Sequence, residues 1–127
     1  MKRVLYLGLD PKTVDFSDPA LPPGLDAAKV QAGIDAAVAQ IKDRGWHAVS
    51  CMFTPDEAGL AVLKQELAAA SYDVVVIGAG VRLPPKNLRL FEAAVNAVHL
   101  GAPGVPITFN TRPDDSAEAA GRGLGLA

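Results

Sequence analysis

Along this chain short apolar runs alternate with longer stretches whose apolar residues recur every three to four positions. Arg3 to Leu9, apolar after its opening arginine except for Gly8 and closed by Asp10, predicts a first strand buried on both faces. Trp46 to Phe53, with Trp46, Val49, Cys51 and Phe53, predicts a second strand. The β-branched run Asp73 to Ile77 is the third, ending on Gly78-Ala79-Gly80, and Val105 to Phe109 is the fourth.

The helical stretches lie between them. Asp26 caps a helix with Val30, Ile34, Val38 and Ile41 on one face and Gly45 as its stop. Thr54-Pro55-Asp56-Glu57 has a capping threonine, proline at the first helical position and glutamate three after the cap, so it opens a helix through Leu60, Leu63 and Leu67. After Pro84-Pro85 a third helix carries Leu88, Phe91, Val95 and Val98 and ends at Gly101. Thr111-Arg112-Pro113-Asp114 precedes a short alanine-rich last helix, and the glycine-rich tail, residues 121 to 127, is expected to fray. Pro11, Pro19, Pro22 and Pro23 exclude helix and central strand between Pro11 and Gly24, which is read as a long first loop.

Strands separated by helices of this length pair in parallel with right-handed crossovers. The expected fold is a single α/β domain over residues 1–127, three-layer and doubly wound, with a four-stranded parallel sheet in the order 2-1-3-4, the flavodoxin-like winding without its fifth strand. In that order the fourth strand is an edge poorly protected by Val105, Ile107 and Phe109, although Pro106 removes one donor. A homodimer across that side is therefore an expectation. In length, and from the third strand to the last helix, the chain resembles small bacterial α/β proteins of this winding, a resemblance that implies the fold and no activity.

Composition narrows the picture. Half of the 127 residues are apolar, enough for one core. Twelve basic against fourteen acidic side chains give no field to recruit nucleic acid or anionic lipid. No apolar run reaches the roughly 20 residues of a spanning helix, so no membrane partner is expected. A single cysteine, Cys51, and a first strand beginning almost at Met1 lead to the expectation of a reducing cytoplasm.

In an open parallel sheet ligands bind beyond the carboxyl ends of the strands, where the winding reverses, here between the first and third. The loops at that rim hold Asp10, the stretch Gly78 to Asn87, Thr54, and Asn110 to Asp115. Arg82, Lys86 and Arg89 flank the start of the third helix and Arg112 follows the fourth strand, an arrangement suited to a phosphate or carboxylate. The rival reading pairs Arg82 and Arg112 with Asp10, Asp114 or Asp115 across the rim. The candidates for a small anionic ligand are Asp10, Arg82, Lys86, Asn87, Asn110 and Arg112. The arginines would grip oxygen atoms, the asparagines would orient the ligand, and Asp10 would serve as acceptor or base. The alternative function is a non-catalytic homodimeric module using the fourth-strand edge and the proline-rich loop. No metal site, cofactor or reaction is assigned by the residues.

Two further resemblances are partial. Gly78 to Leu83 resembles the first half of a dinucleotide fingerprint, but Leu83 stands where the third glycine belongs, Asn110 where an acid should hold the ribose, and two prolines delay the helix. Asp10, Thr54, Lys86 and Asp114-Asp115 follow the chain order of haloacid dehalogenase-like phosphatases, but Lys12 replaces the second acid of that pattern. An aspartate ending the third strand, which a phosphorylated receiver requires, is Gly78 here. His47 and His99 are expected at the end opposite the rim, and Cys51 and Trp46 in packing.

Overall fold

The computed structural model describes residues 1–126. Its four strands, β1 (Arg3–Leu9), β2 (His47–Phe53), β3 (Val74–Ile77) and β4 (Ile107–Phe109), run parallel in one sheet ordered β2-β1-β3-β4. Five α-helices accompany them among the described residues: α1 (Ala27–Asp43), α2 (Glu57–Ala69), α3 (Ala79–Arg82), α4 (Leu88–Gly101) and α5 (Ser116–Gly123). The strand pattern explains the layers. On β1 and β3 alternate residues Val4, Tyr6, Val74 and Val76 pack with Ile34 and Ile41 of α1 and the alanines of α5. Their neighbours Leu5, Leu7, Val75 and Ile77 pack with Leu63 of α2 and Val98 of α4. Val4, Leu5, Leu7 and all four residues of β3 are fully buried, and each such side chain contributes roughly 1.5–3 kcal/mol of hydrophobic stabilisation. The fold is thus the expected three-layer, doubly wound, flavodoxin-like α/β arrangement. No helix among the described residues is long and apolar enough to cross a membrane.

Several local expectations are corrected by the structure. The cap of α2 is Asp56, not Thr54: the Asp56 carboxylate accepts from the Gly59 amide at 2.8 Å and from the Thr54 hydroxyl at 2.6 Å. Pro55 consequently stands before the cap. β4 begins at Ile107, yet the Pro106 carbonyl extends the ladder by accepting from Val75 N at 3.0 Å. A four-residue helix, α3, starts directly after β3, ahead of the prolines expected to delay it. Gly78 has φ −67°, so it is not chosen for a left-handed turn. A Cβ there would stand 3.0 Å from the Leu7 carbonyl oxygen, so a side chain would press on β1 and require its backbone to give by a few tenths of an ångström. Gly45, at φ 84°, does end α1 in the left-handed region.

The glycine-rich stretch after residue 120 is helical through Gly123 instead of frayed, and the amides of Leu124, Gly125 and Leu126 bond back to helical carbonyls. Ala127 lies outside the described residues. The physical reason is proximity: a Cβ on Gly123 would meet Val74 Cγ2 at 2.4 Å, so only glycine lets α5 lie this close to the sheet.

A similar approach fixes α2. A Cβ on Gly59 would fall 1.7 Å from the Thr54 carbonyl oxygen, whereas one on Gly80 meets nothing within 4 Å. Gly59→Ala is therefore expected to cost more than about 2 kcal/mol in urea unfolding, while Gly80→Ala stays within about 1 kcal/mol of the parent. Equal midpoints for the two variants would contradict this packing.

Candidate functional site

Where the winding reverses between β1 and β3, the strand ends open onto a cavity of about 230 Å³. Its floor is made by Gly8, Gly78, Tyr6 and Asn110, two of which bring no side chain. Val30 and Ile34 of α1 and Met52 of β2 form the inner wall. The outer wall comes from the proline-rich segment between β1 and α1, through Val14, Ala20, Leu21, Pro22 and Leu25. Lys29 and Arg112 are the only charged residues that line it among the described residues, and both are basic and exposed.

Asn110 holds the floor together. It is 1% exposed, and a buried amide must have its hydrogen bonds made. Its Oδ1 accepts from Ala79 N at 2.7 Å, and its Nδ2 donates to Ser116 Oγ at 2.9 Å and to the Tyr6 hydroxyl at 3.3 Å. Its backbone carbonyl accepts from Arg82. One side chain after β4 therefore ties β1, α3 and α5 to one another. Burial pushes the Tyr6 phenol above its ordinary pKa, opposed by its neighbours Ser116 and Asn110. Beside Asn110, the Asp115 carboxylate accepts from the Thr111 and Arg112 amides and from the Thr111 hydroxyl. Burial alone would raise the Asp115 pKa, but these hydrogen bonds outweigh it and the net shift is downward.

Of the six sequence candidates, Asn110 and Arg112 line the cavity; Asp10, Arg82, Lys86 and Asn87 do not. Asp10 caps the single turn Pro11–Thr13, accepting from Lys12 N at 3.0 Å. Arg82 is engaged with the Asn110 carbonyl and lies 6.0 Å from the Phe109 ring centroid. Asn87 donates to the Gly80 carbonyl at 3.1 Å. Lys86 pairs with Asp15 and Asp18, and Arg112 Nε donates to Asp114 at 2.5 Å. The basic rim is thus mostly committed to holding loops. The lining residues that sequence reasoning passed over are Tyr6, Met52 and the apolar members of the proline-rich segment. Their one signal was Val14, Phe16, Ala20, Leu21 and Leu25 scattered without a period through a stretch rich in proline and polar residues.

The pairs at Lys86 strap that segment across the cavity. Lys86 and the Ser17 hydroxyl and amide pull the Asp15 pKa down to about 2 from 3.8, and Lys86 is raised in turn. A carboxyl depressed on folding contributes its stabilisation above its unfolded value and loses it as pH falls through the folded one. The strap is accordingly intact at neutral pH and is lost from about pH 4 down toward pH 2.

The histidines lie at the far end, His47 opening β2 and His99 in the last turn of α4. Cys51 is buried in the core, where burial first and Glu66 second push its thiol up to about 11. No family model matches the chain, and no curated protein is detectably similar to it.

Three outcomes follow from this geometry. Asn110→Ala leaves buried partners unsatisfied and is expected to cost about 2–4 kcal/mol in urea unfolding; a loss under about 1 kcal/mol would contradict the hub. Lys86→Ala is expected to speed limited proteolysis within residues 11–25, and the parent should reproduce that behaviour in molar salt; unchanged cleavage would remove the strap. Native Cys51 should react with a thiol-directed disulfide reagent at pH 8 at least tenfold more slowly than the unfolded chain.

Proposed function

We propose that the protein binds a small anionic ligand in the cavity at the carboxyl ends of β1, β3 and β4. The observation that carries this reading is the contrast in the lining: an apolar chamber whose only charged lining residues, among the described residues, are Lys29 and Arg112. An isolated phosphate matches such a chamber poorly, because it would leave its water without gaining apolar contact. A carboxylate on an apolar body suits both parts. The chamber, about 230 Å³, exceeds the roughly 150 Å³ that holds one benzene. It falls short of the roughly 300–1,000 Å³ typical of drug-sized ligands. A single ring or a six- to eight-carbon chain bearing one carboxylate fits that interval.

Magnitudes divide the work between the two parts. Burying about 150 Å² of apolar ligand surface contributes roughly 4 kcal/mol, whereas a pair with a cation as exposed as Arg112 contributes about 0–1 kcal/mol. The apolar body supplies affinity and Arg112 supplies orientation and the preference for charge. Lys86 and Arg82, which lie outside the lining, hold the loops around the chamber in this reading, and Arg112, whose Nε is on Asp114, meets the ligand through its terminal nitrogens.

The alternative, dimerisation through β4, draws on the open outer edge of that strand and on Phe109, 37% exposed. The edge offers only three residues, and the Phe109 ring is already met edge-on by Phe91 at 5.7 Å. Size-exclusion chromatography with light scattering separates the readings: a clean monomer at micromolar concentration removes the dimer.

Benzoate and octanoate, at a hundred times their dissociation constants, are expected to raise the melting temperature by several degrees. Inorganic phosphate should not. Arg112→Ala should weaken benzoate about two- to fivefold and leave benzamide unchanged. A flat response to every carboxylate tried would overturn the proposal.

A further inference from the structure

Lysines tie down the outer wall of the cavity at two places, and the two ties differ in kind. Lys86 holds the early part of the proline-rich segment from outside the lining, through the carboxylates of Asp15 and Asp18. Lys29, in the first turn of α1, holds its last part: its Nζ donates to the Gly24 carbonyl at 2.7 Å. Gly24 lies between Pro22 and Leu25, both of which line the cavity, and its φ of 76° marks the turn that leads to the α1 cap, Asp26. Lys29 lines the cavity as well, so this tie is made on the ligand side of the wall.

Charge separates the two lysines further. Lys86 has its counter-ions, whereas Lys29 makes no ion pair among the described residues. The Gly24 carbonyl is neutral, and an ammonium has three hydrogens to give. Arg112, the other cation in the lining, already has the Asp114 carboxylate on its Nε. Packing brings the two cations to one mouth. A Cβ on Gly33 would lie 2.9 Å from Pro113 Cγ, and Lys29 stands one helical turn before Gly33 on the same side of α1. The cation without a carboxylate at the mouth is therefore Lys29, and the group it already grips belongs to the wall.

We infer that Lys29 is a positioning residue that couples the charge of the ligand to closure of the proline-rich wall. A ligand carboxylate accepts a second hydrogen from Nζ while the first stays on Gly24, so anion, lysine and wall form one chain of contacts. A lysine side chain loses rotamer freedom on making either contact, and that loss is incurred once for both. Each contact thus favours the other, and the coupling is reciprocal: the factor by which an anion tightens the wall is the factor by which the closed wall tightens the anion. A neutral ligand of the same shape fills the chamber without this hold on Nζ. The coupling rests on the cavity reading proposed above, in which Arg112 meets the same carboxylate through its terminal nitrogens.

The test compares benzoate with benzamide, alike in shape and different in charge, on the parent protein, Lys29→Met and Lys29→Arg. Each compound is used at about a hundred times its calorimetric dissociation constant for the protein in question, so that occupancy is matched, and limited proteolysis within residues 11–25 is followed. In the parent, benzoate is expected to slow cleavage about two- to fivefold more than benzamide does, the range of one exposed charge pair. Lys29→Met, which keeps the aliphatic stem, should give equal protection by the two compounds and lower the affinity for benzoate relative to benzamide by a similar factor. Lys29→Arg keeps the charge and should retain the difference. Equal protection in the parent, a difference that survives Lys29→Met, or its loss in Lys29→Arg overturns the inference alone, because binding of benzoate itself still stands. Absence of binding by both compounds to the parent overturns the cavity reading beneath it as well.

Discussion

A single buried side chain amide, that of Asn110, connects what the sheet alone would leave separate. β4 is three residues long and pairs on one side only, too little to fix the position of everything that follows it. By accepting from α3 and donating to β1 and α5, Asn110 joins the end of β4 and the start of α5 to two segments far away in sequence and makes them one floor. In a low-dielectric interior such a network is held strongly when complete and is costly when any member is missing. The cavity is a consequence of this constraint. Its geometry is set by groups that have no alternative partner.

The cavity is apolar because of what arrives from two other directions. The sheet ends contribute Gly8 and Gly78, which leave space; α1 contributes one side of its apolar face; and the proline-rich segment closes the outside with Leu21, Pro22 and Leu25. That segment has no ladder of its own and is held by capped turns and by Lys86 on Asp15 and Asp18. Exposed ion pairs of this kind are weak and screened by salt. The chamber thus combines a rigid floor with a wall of low local stability, the division expected where a ligand must enter a closed space.

The strands and their order were legible in the sequence because two-sided burial leaves continuous apolar runs, as in Val74 to Ile77, and because each run is followed by a helical period. Asp26 and Gly45 carried the ends of α1 for the same reason that caps generally do. The cap of α2 was misplaced by two residues because Thr54 and Asp56 are both competent, and only the close seat of Gly59 against Thr54 decides between them. The end of α5 was missed because glycine reads as a helix breaker unless one knows that Val74 lies against it. At the site, the geometry of the rim followed from the winding, and the polar residues there were found by type. Their partners were not: nothing local indicates that Lys86 meets Asp15, 71 positions away, or that Arg82 turns to a carbonyl. The apolar character of the chamber was hidden in a segment where proline masks any pattern.

The most direct measurement is a titration of ¹⁵N-labelled protein with benzoate, followed through backbone amide shifts. The account expects saturable changes confined to Gly8, Leu9, Gly78, Gly80 and Thr111 together with the segment from Val14 to Leu25, with the outer edge of β4 unmoved. Shifts scattered over surface lysines and arginines without saturation, or concentrated along Ile107 to Phe109, would contradict it.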